Sequence, residues 1–148
     1  GLRISEALNI RITADLFLES KELIIKEGKS NKQRTVLLND KVINAIKNYL
    51  KYRETLKYNS SMYLFVSNKG EKLNRITVNN IFSKYSKKTG IDKIISPHDL
   101  RHFFCSYALE SGFDVHEVAY IAGHSNIRTT LLYTNPSRQK MLEKLNKL

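Results

Sequence analysis

The chain has 148 residues and a mass of 17.1 kDa, the size of one ordinary domain with its own hydrophobic core. Its single cysteine excludes an internal disulfide framework, and no apolar run approaches the roughly 20 residues that a membrane span needs. The 25 Lys and Arg exceed the 14 Asp and Glu by +11, which favours a polyanionic partner, nucleic acid before a membrane surface.

The first forty residues predict a short helix followed by a small sheet. Residues 1–8 carry a helical pattern, and three short apolar runs follow, with residues typical of turns between them. The strands are predicted at 16–18, 22–25 and 35–38. We therefore expect a three-stranded antiparallel sheet near the N-terminus.

The rest of the chain predicts helices, so the expected fold class is α+β and mainly α-helical. Asp40 and Thr77 are expected to cap two of these helices, and Ser96 with Pro97 begins a third. Asp114 and Glu117 form a pair typical of a capping box before a fourth. The predicted helices run from Asp40 to Leu50, from Thr77 to about Gly90, from Pro97 to Gly112, from Val115 to Ala122, from Asn126 to Tyr133 and from Ser137 to Lys147.

The positive charge is distributed unevenly along the chain. Residues 1–93 hold 19 basic and 9 acidic residues, whereas residues 94–133 hold 2 basic and 4 acidic residues. Residues 134–148 add 4 basic and 1 acidic residue. We therefore expect a phosphate-binding surface mainly in the first two thirds of the chain, and a different task for the segment 94–133.

The helix that begins at Ser96 carries the most informative polar pattern. His98, Arg101 and His102 stand at helical spacing on one side, near a helix N-terminus whose free N–H groups attract anions. The alternative is an ordinary solvated face, with the opposite side forming the core. The predicted core side consists of Leu100, Phe103, Phe104, Tyr107 and Ala108.

A metal site is the second alternative for the same helix. The run His98-Asp99-Leu100-Arg101-His102 is similar to the zinc-protease motif H-E-x-x-H, but it has Asp in place of the Glu base. Arg101 would place a fixed positive charge beside the cation, and only His124 offers a third ligand. We therefore expect no metal and no cofactor.

Four motifs follow one another in a recognisable order. They are Arg3-Ile4-Ser5-Glu6, His98-Asp99-Leu100-Arg101-His102, Ala122-Gly123-His124-Ser125 and Tyr133. Together they resemble the tyrosine recombinase (integrase) family of site-specific DNA strand-transfer enzymes. The resemblance covers the whole chain, 1–148, as a C-terminal catalytic domain. It implies that the helical N-terminal domain that closes around DNA is not part of these residues.

The resemblance also implies a role for each motif residue. Arg3 and Arg101 would bind the scissile phosphate, and Tyr133 would be the nucleophile. Lys29, within the turn Gly28-Lys29-Ser30-Asn31, corresponds to a catalytic lysine on a mobile β-hairpin. The other implied catalytic residues are His98 and His124, with Glu6 and His102 in support. Neighbouring cations, which could exchange roles with Lys29 or bind DNA, are Lys26, Lys32 and Arg34.

Two points about Tyr133 stay open at this stage. Nothing but the resemblance selects it from the eight tyrosines. A straight helix would also place His124 and Tyr133 on opposite sides, so the chain must turn at Ser125-Asn126 if both face one phosphate.

The resemblance implies a covalent 3′-phosphotyrosine intermediate in DNA integration or recombination. It also implies two partners, double-stranded DNA and further recombinase subunits that together form a tetramer, and no membrane. The implied localisation is cytoplasmic and nucleoid-associated, in a prokaryote or as the product of a phage or mobile element. An apolar stripe in the tail, formed by Met141, Leu142, Leu145 and Leu148, would pack on its own domain or on a neighbouring subunit. The competing hypothesis is a catalytically inactive DNA-binding module, and the intact set of motif residues counts against it.

Overall fold

The computed structural model describes residues 1–26, 33–56 and 60–134, together with residues 142, 145 and 146. These ranges contain seven helices and three strands, so the predicted α+β, mainly helical fold is confirmed. The helices are α1 (Ile4–Leu8), α2 (Ile12–Asp15), α3 (Asp40–Glu54), α4 (Arg75–Lys88), α5 (Pro97–Glu110), α6 (Val115–Ala122) and α7 (Arg128–Leu131). The strands are β1 (Leu16–Phe17), β2 (Glu22–Lys26) and β3 (Gln33–Leu37). None of the described helices is long and apolar enough to cross a membrane.

The three strands form one antiparallel sheet in the order β1-β2-β3, as predicted. Strands β2 and β3 pair with Leu23 opposite Val36 and Ile25 opposite Arg34. Side chains alternate between the two faces of a strand, and all four of these residues are buried. The register therefore places an arginine among the apolar side chains beneath the sheet.

Two hydrophobic clusters stabilise the fold, and α6 contributes to both. The first lies beneath the sheet and consists of Ile10, Leu16, Leu23, Ile25, Val36, Leu38, Ile43 and Leu64. The second lies between α5 and α6 and consists of Cys105, Ala108, Val118 and Ala122. Ile121 packs against the first cluster, and Ala122 belongs to the second. The C-terminal end of α6 is thus fixed from two sides.

The predicted core side of α5 is wrong at three of its five residues, whereas Ala108 is buried and Phe104 packs against the second cluster as predicted. Leu100, Phe103 and Tyr107 are 50%, 65% and 59% exposed, and the last two stack with their ring centroids 5.7 Å apart. The buried side instead carries Arg101 and Cys105, followed by Ala108. Main-chain carbonyls from distant parts of the chain satisfy the guanidinium, so a polar side chain faces inward where hydrophobic periodicity predicts the opposite.

Side-chain caps fix the helix ends, with two differences from the prediction. Asn39, not Asp40, caps α3 by accepting from the Val42 N–H, and Asn74 caps α4 by accepting from the Thr77 N–H. The predicted caps of α5 and α6, Ser96 and Asp114, are confirmed, and both helices begin with a complete capping box.

The C-terminal third ends in shorter helical pieces than predicted. Helix α7 covers only Arg128–Leu131 of the predicted span 126–133. The predicted helix 137–147 lies outside the described residues except at three positions. Of the tail leucines, Leu142 and Leu145 are described and are 51% and 61% exposed, and the proposed docking of the stripe stays a prediction.

Candidate active site

Arg101 lies in the second turn of α5 and is buried against the end of α6. Its Nη1 donates to the carbonyl oxygens of Gly1 and Ala122, both at 2.7 Å. Burial lowers the pKa of Arg101, and the charge of Arg3 lowers it further, but a guanidinium remains protonated in proteins. A buried cation bonded to neutral carbonyls keeps its charge, and this is what an anion-binding site requires.

Arg3 directly precedes α1 and reaches the same end of α6. Its Nη2 donates to the carbonyl of Gly123, while its Nη1 pairs with a carboxylate oxygen of Glu6 at 2.9 Å. The Arg3 side chain is 42% exposed, so it remains accessible to a ligand from solvent. The carbonyls of two consecutive residues, Ala122 and Gly123, thus bring together the two arginines that the resemblance assigns to one phosphate.

The structure corrects the expected place of Arg34, which lies inside the protein and not on a DNA-binding surface. It is 7% exposed, and its guanidinium binds both carboxylate oxygens of Glu6 at 3.0 Å. It also donates to the carbonyls of Ile121 and Ala122, at 3.2 and 3.3 Å. The signal in the sequence was the spacing of two residues between Arg34 and Val36, which places both on one face of a strand.

Glu6 is the carboxylate that joins Arg3 and Arg34. Burial alone raises the pKa of Glu6, but hydrogen bonds from Arg34 and from Arg3 outweigh it and hold the pKa below its ordinary value. A second oxygen contact comes from the Arg3 backbone N–H at 2.8 Å. The supporting role expected of Glu6 therefore has a structural basis: it fixes the side chain and the backbone of Arg3.

We expect Glu6→Gln to lower the free energy of unfolding by about 2–3 kcal/mol at neutral pH, because it removes the carboxylate whose two oxygens bind the buried Arg34 guanidinium. The folded-state pKa of Glu6 is lowered, so its contribution is complete above the unfolded-state pKa of about 4.3. That contribution is lost as the pH falls through the folded-state value. Urea unfolding at neutral and acidic pH should show a difference from the wild type that shrinks in acid. The exposed Glu71→Gln serves as the control, and a pH-independent difference contradicts the prediction.

Gly123 makes the turn that follows α6. Its φ of 70° lies in the left-handed region, and a Cβ atom there would overlap the guanidinium of Arg34. Backbone conformation and neighbour both require glycine at this position of the Gly-His-Ser motif. The chain then bends at Ser125 and Asn126, as predicted, so that the rings of His124 and Tyr133 lie parallel with centroids 6.3 Å apart.

A buried threonine holds His124. The Nδ1 atom of His124 lies 2.7 Å from Oγ1 of Thr130, and the Thr130 side chain has no exposed surface. Burial lowers the pKa of His124, and the charges of Arg101 and Arg3 lower it further, so the ring is neutral at pH 7. In the tautomer whose Nδ1 accepts from Thr130, Nε2 carries the proton and can donate it to a phosphoryl oxygen.

We expect Thr130→Val to slow the DNA cleavage that the resemblance implies by about 10- to 100-fold, because the isosteric side chain can no longer fix the imidazole. DNA affinity should stay unchanged, since Thr130 is buried and offers no contact to DNA. The rate of covalent adduct formation and the Kd from fluorescence anisotropy measure the two effects. The exposed neighbour Thr129→Val is the control, and equal rates for the two variants contradict the prediction.

Tyr133 lies between two imidazoles. Its ring centroid is 5.1 Å from that of His102 and 6.3 Å from that of His124. The ring also packs against the cluster that contains Cys105. Burial raises the pKa of Tyr133, and Cys105 adds to the rise, while Arg101 opposes it. The free protein therefore holds a neutral phenol that needs help to become a nucleophile.

The two histidines of α5 contact each other. The Nε2 atoms of His98 and His102 are 2.8 Å apart, so one ring donates to the other. Burial lowers the pKa of His102, and the neighbouring His98 lowers it further. The pair can hold and pass one proton beside the Tyr133 ring. The structure thus brings together Arg3, Glu6, His98, Arg101, His102, His124 and Tyr133.

Three lysines of the predicted set stand apart. Lys29 and Lys32 lie outside the described residues, and their roles stay predictions. Lys26 is exposed and lies 3.3 Å from Asp15, whose pKa is lowered to about 2, first by a hydrogen bond from Arg11 and also by Lys26. The charge of Lys26 is therefore partly neutralised by the Asp15 carboxylate, which makes Lys26 a weaker candidate for a phosphate contact.

The metal alternative requires a third ligand beside the two histidines of α5. Within residues 1–26, 33–56 and 60–134, no group of three or more His, Cys, Asp or Glu side chains could hold a metal ion. Asp99, at the position of the zinc-protease base, instead completes the capping box with Ser96. Its pKa lies below the ordinary value because of hydrogen bonds from Ser96 and Lys93.

Comparison with known proteins shows the family to which the chain belongs. The phage integrase family matches residues 1–140, and the chain belongs to this family, the tyrosine recombinases. It is similar to the TnP I resolvase of Bacillus thuringiensis, with 54% identity over the whole chain and 50% of the resolvase. It is also similar to tyrosine recombinase XerA of Pyrococcus horikoshii, with 36% identity over 99% of the chain and 50% of that protein. The chain thus spans about half the length of these curated relatives.

Solved structures share the fold. A crystal structure of XerA recombinase superposes with a TM-score of 0.82 at 30% identity, covering 99% of this chain and 53% of that one. The XerH site-specific recombinase bound to a palindromic difH substrate, in a post-cleavage complex, gives a TM-score of 0.77 at 28% identity, over 97% of this chain and 41% of that one.

Proposed function

We propose that this chain is the catalytic domain of a site-specific recombinase that cuts and rejoins DNA strands through a covalent 3′-phosphotyrosine bond at Tyr133. One observation carries the proposal. The Tyr133 ring lies between His102 and His124, at the same turn where Arg3 and Arg101 converge on consecutive carbonyls. The site therefore combines a nucleophile, Tyr133, with two phosphate-binding arginines and two histidines that can transfer protons.

The arginines supply the electrostatic part of the reaction. Negative charge grows on the phosphoryl oxygens as the phosphodiester is attacked, and preorganised cations lower that barrier most effectively. Arg3 and Arg101 are held by bonds to Gly123 and Ala122 before DNA arrives, so little reorganisation is needed. Their planar forks suit phosphate oxygens in a way that a lysine cannot reproduce.

Proton transfer completes the step. The Tyr133 oxygen forms a bond to phosphorus while its proton passes to a neighbouring base, and the bond from phosphorus to the 5′-oxygen breaks. Lys29 is the proposed acid that protonates this leaving oxygen, and His124 donates to a phosphoryl oxygen. One phosphodiester replaces another, so the step needs no high-energy donor. Attack by a 5′-hydroxyl of another strand reverses it.

Partners and cellular place follow from the same proposal. The substrate is double-stranded DNA, and strand exchange between two duplexes calls for further recombinase subunits in a tetramer, to which the apolar tail can dock. The related XerH was solved with a DNA substrate, which supports DNA as the ligand here. Curated relatives come from archaea and bacteria, which supports a cytoplasmic, nucleoid-associated protein or one of a mobile element.

Covalent capture tests the proposal. The protein at its full natural length is incubated with a library of nicked duplexes of randomised sequence and then separated on a denaturing gel. We expect an adduct that survives denaturation without added metal, and its DNA identifies the site. Sequence-specific binding with no adduct on the selected duplex overturns the proposal in favour of the inactive DNA-binding module.

A further inference from the structure

We infer that Arg34 is a positioning residue for strand transfer, an inference that rests on the function proposed above. Arg34 belongs to β3, yet its guanidinium bonds to α1 through Glu6 and to α6 through the carbonyls of Ile121 and Ala122. Arg3 directly precedes α1, and the carbonyls at the end of α6 hold both Arg3 and Arg101, so Arg34 connects β3 to the elements that position the phosphate-binding arginines. Its burial leaves it no direct contact with DNA.

The first connection runs from Arg34 to Arg3. The Arg34 fork binds both oxygens of Glu6 at 3.0 Å, which fixes the plane of that carboxylate. Glu6 then accepts from the Arg3 backbone N–H at 2.8 Å and from its Nη1 at 2.9 Å. Arg34 therefore sets the direction of Arg3 without touching it.

The second connection runs from Arg34 to Arg101 and the turn after α6. The carbonyl of Ala122 accepts from Arg34 at 3.3 Å and from Arg101 at 2.7 Å, so the two guanidinium groups share one oxygen. The next residue is Gly123, whose missing side chain leaves the space that the Arg34 guanidinium fills. Arg34 thus supports the backbone from which His124 follows.

Charge gives Arg34 a further effect that packing alone does not. Glu6 would neutralise Arg3 if the two formed a simple pair. With Arg34 as a second partner, one carboxylate is shared by two guanidinium groups, so Glu6 neutralises Arg3 only in part. The positive charge that Arg3 retains lies where the scissile phosphate is proposed to bind.

The test compares Arg34→Gln with Arg53→Gln in the full-length protein on the nicked duplex recovered by covalent capture. Arg53 is the matched control, since it is 3% exposed and donates to the carbonyl of Ser61, outside the site. For Arg34→Gln we expect adduct formation at saturating DNA to slow by about 100-fold, with Kd changed less than about threefold. Arg53→Gln should lose stability but keep its rate, measured where unfolding curves show both variants folded.

A double substitution separates positioning from structural support. Because Arg34 acts on Arg3 through Glu6, we expect Glu6→Gln and Arg34→Gln together to slow adduct formation by less than the product of the two single losses. Two independent structural losses predict instead that the two effects multiply. Should Arg34→Gln not fold, Arg34→Lys carries the comparison with Arg53→Gln. It keeps the charge but loses the fork, and should cleave about tenfold more slowly at unchanged Kd.

Several results overturn the inference. They are a wild-type rate in Arg34→Gln, a loss of rate that follows stability as in Arg53→Gln, a loss of affinity equal to the loss of rate, and a loss in the double variant that equals the product of the two single losses. The absence of an adduct with the wild-type protein is a different result, because it overturns the proposed function itself.

Discussion

Tyr133→Phe is expected to abolish covalent attachment to DNA, by at least about 10⁴-fold, while folding and DNA affinity stay unchanged. The substitution removes only the phenolic oxygen that forms the bond to phosphorus. The variant keeps the ring that contacts His102 and His124 and that packs against the second cluster. A denaturing gel with the captured nicked duplex gives the adduct yield, and fluorescence anisotropy gives the affinity.

Tyr107→Phe is the matched control for this prediction. Tyr107 lies on α5, is 59% exposed and stacks on Phe103 on the outer side of the helix. Its variant should form the adduct at the wild-type rate. An adduct that persists in Tyr133→Phe contradicts the assignment of the nucleophile, because another side chain would then carry the phosphate.

Arg101→Lys is expected to have the second-largest effect, slowing cleavage by about 10²–10³-fold. A lysine retains the charge but lacks the planar fork, and it cannot bind the carbonyls of Gly1 and Ala122 while also facing a phosphate. DNA affinity should change little, because 19 of the 25 basic residues lie in the segment 1–93, where the bulk of the phosphate contacts is expected.

Salt dependence sharpens the Arg101 prediction. The slope of log K against log salt should be the same in Arg101→Lys as in the wild type, since the number of cations is unchanged. Single-turnover adduct formation and anisotropy titrations at several salt concentrations provide both quantities. Arg128→Lys, an exposed cation of α7, is the control and should match the wild type in both. A fall in affinity that accounts for the whole loss of rate contradicts a role in the reaction step.

Local patterns predicted most of the fold. The sheet followed from short apolar runs between turn residues, and α5 and α6 followed from capping residues that stand directly before them. These signals are readable because each depends on neighbours a few residues away. The caps of α3 and α4 were displaced to Asn39 and Asn74, because several polar residues near a helix start can serve.

Long-range partners account for what the sequence did not predict. The buried positions of Arg34 and Arg101 depend on carbonyls at the end of α6, far away in the chain. Hydrophobic periodicity treats an arginine as a surface residue. It therefore predicted burial for Leu100, Phe103 and Tyr107 of α5, which are exposed, and exposure for Arg101, which is buried. Motif order predicted that Arg3, Arg101, His124 and Tyr133 act together, but not which atoms hold them. For Lys29 the prediction stands untested, since it lies outside the described residues.

The one thiol of the chain sits at an informative place. Cys105 has no exposed surface and belongs to the second cluster, against which Tyr133 packs. Burial raises the pKa of its thiol. An alkylating reagent can reach it only when α5 and α6 separate, and it then finds a thiol that is ordinary in reactivity. The labelling rate of Cys105 therefore reports how often the site opens, and no probe has to be introduced into the protein.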